Sequence, residues 1–168
     1  TLSGRAGTIT AGDGADTLFG GANDDLIYGG AGNDTLSGGA GNDTLSGDAG
    51  SDTFNVDDSH GTTTVIGGED AGNTDIDRLN LNSTGTPQGV SVTYTGAEAG
   101  SFAFTGGNSA GTFTGIEQVT GTAQADTFNA AAATTGVTIA SGAGNDSIIG
   151  GSGNDVLNAG SGADRINA

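Results

Sequence analysis

The sequence predicts an all-β fold, a solenoid of short parallel strands with a less regular middle section. Three observations predict it. A nine-residue period runs through residues 1–55 and returns over 121–168, most copies carrying one aspartate and, two positions later, one large apolar residue. Glycine makes up 35 of the 168 residues against a single proline, far above the roughly 7% of ordinary globular chains and without the one-in-three period of collagen. Between the two blocks, residues 56–120 lose the period but keep apolar residues in strand-like alternation.

The first block divides into AGDGADTLF at 11–19, GGANDDLIY at 20–28, GGAGNDTLS at 29–37 and again at 38–46, and GDAGSDTFN at 47–55. This frame spaces Asp16, Asp25, Asp34, Asp43 and Asp52 evenly, followed by Leu18, Ile27, Leu36, Leu45 and Phe54. LSGRAGTIT at 2–10 fits the same frame with Gly7 at the aspartate position and Ile9 at the apolar one, as an end turn without its own acidic ligand. In a strand as short as Thr35-Leu36-Ser37, only the central side chain points inward. The six residues before it supply glycines that can turn tightly through left-handed conformations. Two units form one coil of 18 residues, with a strand on each side. Leu18, Leu36 and Phe54 then stack on one sheet and face Ile9, Ile27 and Leu45 on the other. The same stacking sets Asp16, Asp34 and Asp52 along one edge and Asp25 and Asp43 along the opposite edge.

In the middle section, Leu79-Asn80-Leu81, Val90 to Tyr94 and Phe102-Ala103-Phe104 alternate as half-buried strands do. The phrase GGEDAGNTDIDRLNL at 67–81 reads as an expanded turn ending in Asp77-Arg78-Leu79-Asn80, which has the tail of a repeat. We expect one continuous solenoid with longer middle coils. Asp57, Asp58, Glu69, Asp70, Asp75 and Asp77 form either an additional, atypical cation site or a set of surface and turn carboxylates. Glu117, between Ile116 and Val119, is expected to be an exposed strand or turn residue, and His60 a loop residue.

The second block contains GTAQADTFN at 121–129, a weaker copy, then SGAGNDSII, GGSGNDVLN and AGSGADRIN over 141–167. It places Asp126, Asp146, Asp155 and Asp164 before Phe128, Ile148, Leu157 and Ile166. Asp146 and Asp164 share an edge opposite Asp155. The spacer at 130–140 offers Val137 and Ile139, either of which can fill an inward position.

Charge turns this geometry into chemistry. Twenty acidic groups face three arginines and no lysine, a formal charge of −17. No basic cluster exists to neutralise phosphates, which argues against nucleic acid and anionic membrane surfaces as partners. Carboxylates stacked at the strand spacing of about 5 Å repel one another unless a cation lies between successive turns. The available donors are oxygens: the aspartates at the sixth repeat position (Asp16, Asp25, Asp34, Asp43, Asp52, Asp126, Asp146, Asp155 and Asp164) and backbone carbonyls of the glycine turns at Gly32, Gly41, Gly144 and Gly153. Calcium takes six to eight such ligands in flexible geometry, whereas magnesium requires a stricter octahedron. Zinc and copper favour His or Cys, and the chain has one His and no Cys. Asp13, Asp24 and Asp48 are read as solvent-facing or turn-stabilising. One large apolar side chain per nine residues contributes too little burial to order nine backbones, which predicts folding coupled to several calcium ions and a disordered polyanion without them.

The nonapeptide G-G-x-G-x-D-x-U-x, with two adjacent GGAGNDTLS copies, resembles the RTX, or haemolysin-type calcium-binding, repeat. GIEQVTGTAQADTFN at 115–129 resembles a linking phrase between repeat blocks in large RTX proteins. The resemblance implies a calcium-binding parallel β-roll or β-helix solenoid belonging to a larger secreted or cell-surface bacterial protein, with type I secretion for many members. The opening TLSGRAG lacks the basic and apolar stretches of a secretory leader, and no apolar run of about 18 residues marks a membrane span.

Three functional classes follow. The first is a calcium-dependent structural and folding module of an adhesin, surface-layer protein, toxin or secreted hydrolase. The second is an adhesion or surface-layer self-assembly module, binding itself or cell-surface glycan through the outward residues Phe19, Leu26, Tyr28, Ile149 and Val156. The third is an accessory domain of a polysaccharide-modifying enzyme whose catalytic domain lies outside 1–168. No catalytic residue is assigned: the serines and threonines lack an identifiable base and orienter, the aspartates serve better as ligands than as glycosidase pairs, and the glycines form no phosphate loop.

Overall fold

The computed structural model describes residues 5–59, 61–68 and 75–168. His60, Glu69 and Asp70, singled out above, lie outside them. Among the described residues all elements are strands. The first block forms β1 (Gly7–Thr10), β2 (Thr17–Gly21), β3 (Asp25–Ala31), β4 (Thr35–Gly39), β5 (Asp43–Ala49) and β6 (Thr53–Asp57). The middle forms β7 (Gly61–Ile66), β8 (Arg78–Asn82), β9 (Val90–Tyr94), β10 (Gly100–Phe104), β11 (Ser109–Thr114) and β12 (Gln118–Thr120). The second block forms β13 (Thr127–Asn129), β14 (Thr138–Ala140), β15 (Ser147–Ile149), β16 (Val156–Asn158) and β17 (Arg165–Asn167).

Outside β9–β11, successive strands alternate between two sheets, so that each coil of the parallel β-roll contributes one strand to each. Ten strands form one sheet, in the order β1-β3-β5-β7-β11-β10-β9-β13-β15-β17, and seven form the other, β16-β14-β12-β8-β6-β4-β2. Register follows the repeat frame: Ile9 lies beside Ile27 and Ile27 beside Leu45, while Leu18 lies beside Leu36 and Leu36 beside Phe54. Ile27, Leu36, Leu45, Phe54, Leu79, Phe128 and Ile148 are buried in one core between the sheets. Ile166, on β17, is 47% exposed because β17 pairs only with β15.

The middle departs from the expected longer parallel coils. Strands β9, β10 and β11 form an antiparallel meander inside the ten-stranded sheet, with β11 parallel to β7 and β9 parallel to β13. The facing sheet runs directly from β12 to β14, so the meander adds two strands to one face alone. Tyr94, Phe102, Phe104 and Phe113 are buried here, large side chains where the opposing layer has no additional strand. Tyr94 meets Phe113 edge-on at 5.4 Å. Gly100 and Gly111 leave room for the Phe113 and Phe102 rings, which a Cβ at either glycine would strike.

Candidate metal centre

The turns joining the sheets are built from hydrogen bonds between coils. Gly32, with φ of 122°, donates its N–H to the Ala49 carbonyl one coil on, and a Cβ there would collide with the backbone of Gly14. Gly41, Gly144 and Gly153 have the same left-handed backbone, at φ of 122°, 129° and 114°. The Asn-Asp step then stitches each coil to both neighbours. Asn33 Oδ1 accepts the Ser51 N–H from the following coil, while Asp34 Oδ1 accepts the Asp16 N–H from the preceding one. Asn145 and Asp146 repeat this with Ala163 and Asp126.

The aspartates form two files, one per edge. On the first edge the file runs Asp16, Asp34, Asp52, Asp77 and Glu117, each amide up to that of Asp77 donating to the next carboxylate at 2.6–2.8 Å. The strand register then places Val137 and Asp155 at the same position, and Val137 N–H donates to Asp155 Oδ1. On the second edge Gly7 N–H donates to Asp25 and Asp25 N–H to Asp43, as the repeat frame implies. Thr63 and Gly111 occupy the next two positions without a carboxylate. The file resumes when Val90 N–H meets Asp126, followed by Asp146 and Asp164.

Two residues in these files were read differently from sequence. Glu117 is no isolated surface acid but the acceptor for Asp77 N–H at 2.6 Å. Its signal was the tail Glu117-Gln118-Val119-Thr120, with glutamate where the repeat has aspartate. Of the two spacer candidates, Ile139 points into the core in register with Val119 and Leu157, and Val137 takes the carboxylate position.

One carboxylate oxygen is satisfied in each Asp-to-Asp step; the other divides the chain in two. Oδ2 of Asp25, Asp34, Asp43, Asp52 and Asp77 is buried without a hydrogen-bond partner. Each faces a glycine Cα in its own turn: Gly20, Gly29, Gly38, Gly47 and Gly67. Beside Gly29 and Gly47 stand the carbonyls of Gly47 and Gly67 from the next coil, so a side chain at either glycine would fill an oxygen-lined cradle. In the second block the corresponding oxygens have internal donors: Thr122 N–H for Asp126, Ser141 Oγ for Asp146 and Gly151 N–H for Asp155.

Burial pushes Asp43 and Asp52 up to about 6 and Asp77 to about 7, opposed by the amide each accepts and reinforced by neighbouring carboxylates. Glu117 and Asp126 are raised from the same leading cause. An orphaned, desolvated carboxylate oxygen beside carbonyls fits a hard cation. Among the described residues no group of three or more His, Cys, Asp or Glu could hold a metal, because each coil contributes one carboxylate per edge and backbone oxygens must supply the rest.

Three further acids are engaged locally. Asp58 is buried, which disfavours its charge, yet the Thr84 N–H, the Ser83 and Thr84 hydroxyls and the Gly85 N–H hold its carboxyl below the usual range. It staples the 83–85 loop. Asp24 accepts from Asn42, and Asp48 accepts the Ser46 hydroxyl at an exposed turn with φ of 71°. Of the outward apolar residues, Phe19 and Val156 are 49% and 61% exposed. They sit on β2 and β16, at opposite ends of the seven-stranded sheet, and so form no common patch.

The family model described as RTX calcium-binding nonapeptide repeat (4 copies) matches residues 3–36, 28–62 and 138–167. No curated protein matches the chain at a significant level.

Proposed function

The chain belongs to the RTX calcium-binding nonapeptide repeat family, and from that premise we propose that it is a calcium-coupled folding module of a larger exported bacterial protein. RTX repeats are a structural, calcium-binding module rather than a catalytic one. The observation that supports coupled folding is the file of buried carboxylate oxygens with no hydrogen-bond partner in the first block. Leaving such groups bare opposes folding, and a divalent cation between coils reverses the sign.

In this reading Asp16, Asp25, Asp34, Asp43 and Asp52, with the carbonyls of Gly32 and Gly41, hold ions in the first block. Asp126, Asp146, Asp155 and Asp164, with Gly144 and Gly153, hold them in the second. The chain stays unfolded at low calcium inside the cell and folds by mass action outside it, as part of an adhesin, surface-layer protein or secreted hydrolase. Far-UV circular dichroism of the metal-free chain, titrated with calcium and in parallel with magnesium, tests the coupling. A cooperative gain of β signal specific to calcium is expected. A full β signal in chelator, unchanged by calcium, would refute it.

A further inference from the structure

We propose that Asp77, with the carbonyl of Gly115 and the charge of Glu117, forms an additional calcium site that bridges the first block to the antiparallel meander. The site rests on the calcium reading of the repeats but lies between the segments matched to the family, in a stretch where the nine-residue period is lost.

Three observations carry it. Asp77 is fully buried, its Oδ1 accepts the Asp52 N–H at 2.7 Å, and its Oδ2 has no hydrogen-bond partner. A Cβ on Gly67 would strike Asp77 Oδ2 and the Gly115 carbonyl. That pair reproduces the cradle at Gly47, formed by Asp52 Oδ2 and the Gly67 carbonyl, and the one at Gly29, formed by Asp34 Oδ2 and the Gly47 carbonyl. Finally, Glu117 follows Asp77 in the file, so three successive coils present carboxylates along this edge.

The sequence hides this equivalence. In the repeats the cradle glycine precedes its aspartate by five positions and its carbonyl partner by 18, as in Gly29, Asp34 and Gly47. Here the turn is expanded and the meander intervenes, so Gly67, Asp77 and Gly115 meet only through the fold. An all-oxygen donor set with irregular spacing suits calcium better than the stricter magnesium octahedron. An ion here ties the β7–β8 turn to the β11–β12 turn, and with it the strand by which the meander joins the first block.

Native mass spectrometry at saturating calcium, with isothermal titration, tests the site in the full chain. Asp77→Asn retains an acceptor for the Asp52 N–H but loses the anionic oxygen, and should carry one calcium fewer than the unsubstituted chain with its β signal intact. Asp34→Asn serves as the repeat-site control. An unchanged ion count in Asp77→Asn, alongside a loss in Asp34→Asn, overturns this site alone; no calcium bound by the unsubstituted chain overturns the calcium reading itself. Should Asp77→Asn fail to fold, Glu117→Gln decides the matter. Removing one neighbouring carboxylate charge from a divalent ion should weaken one calcium by about tenfold or more, and calcium affinities unchanged throughout would overturn the proposal.

Discussion

Acid should partly replace calcium. With calcium removed by a chelator, lowering the pH from about 7.5 to about 5 is expected to restore β structure, because the buried carboxylates that oppose folding become neutral. Asp43 and Asp52 rise from 3.8 to about 6 and Asp77 to about 7 in the fold, so between those values the folded chain binds more protons than the unfolded one. Their contribution is therefore fully present below about 3.8, and is lost as pH rises through about 6 to 7. Over the interval from about pH 7.5 to 5 the three groups together return a few kcal/mol, on the order of 5 kcal/mol or less because Asp52 and Asp77 are neighbours in the file. All three are nearly inaccessible to solvent. The assay is far-UV circular dichroism in chelator, stopping above the isoelectric point near 4.1, with Asp52→Asn as a variant whose pH response should be smaller. A flat signal across this range, or loss of β structure on acidification, would refute the argument that buried charge holds the metal-free chain open.

Two further outcomes follow from single groups. The Tyr94 hydroxyl is buried without a partner, so Tyr94→Phe, which preserves the edge-on contact with Phe113, should stabilise the calcium-loaded chain by about 1 kcal/mol in urea unfolding. Because Asp146 Oδ2 already accepts from Ser141 whereas Asp34 Oδ2 is orphaned, Asp34→Asn should alter the calcium midpoint of folding more than Asp146→Asn does, read from parallel calcium titrations.

The repeats made the roll legible because their chemistry is local. One inward residue per short strand fixed the faces of Leu36, Leu45 and Phe54, and the 18-residue coil placed Asp16 beside Asp34 and Asp25 beside Asp43. Even the degenerate first copy was readable, since Gly7 sits where its frame puts it and donates to Asp25. The meander was not, because alternation in Val90–Tyr94 and Phe102–Phe104 marks strands without stating their direction. Parallel and antiparallel partners bury the same face. Glu117 and Val137 were obscured for another reason: the carboxylate position is defined by the preceding and following coils, and around the meander those are distant in sequence. The internal donor to Asp146 depends on Ser141 replacing a repeat glycine, whereas Asp126 and Asp155 receive backbone amides from Thr122 and Gly151, a difference whose meaning appears only once the turn closes.

The opposed hydrogen bonds of the Asn-Asp step also set how the roll answers to force. A coil carrying this step grips the one before through its aspartate and the one after through its asparagine, as at Asn33-Asp34, Asn42-Asp43 and Asn145-Asp146, while its strands lie across the stacking axis. Tension along that axis should load one coil boundary at a time, and release of a regular coil would pay out 18 residues, about 60 Å of extended chain. The meander, paired in antiparallel fashion within one face, interrupts this succession. Extension along the axis is thus expected to proceed in steps within each run of repeats and to change character between them.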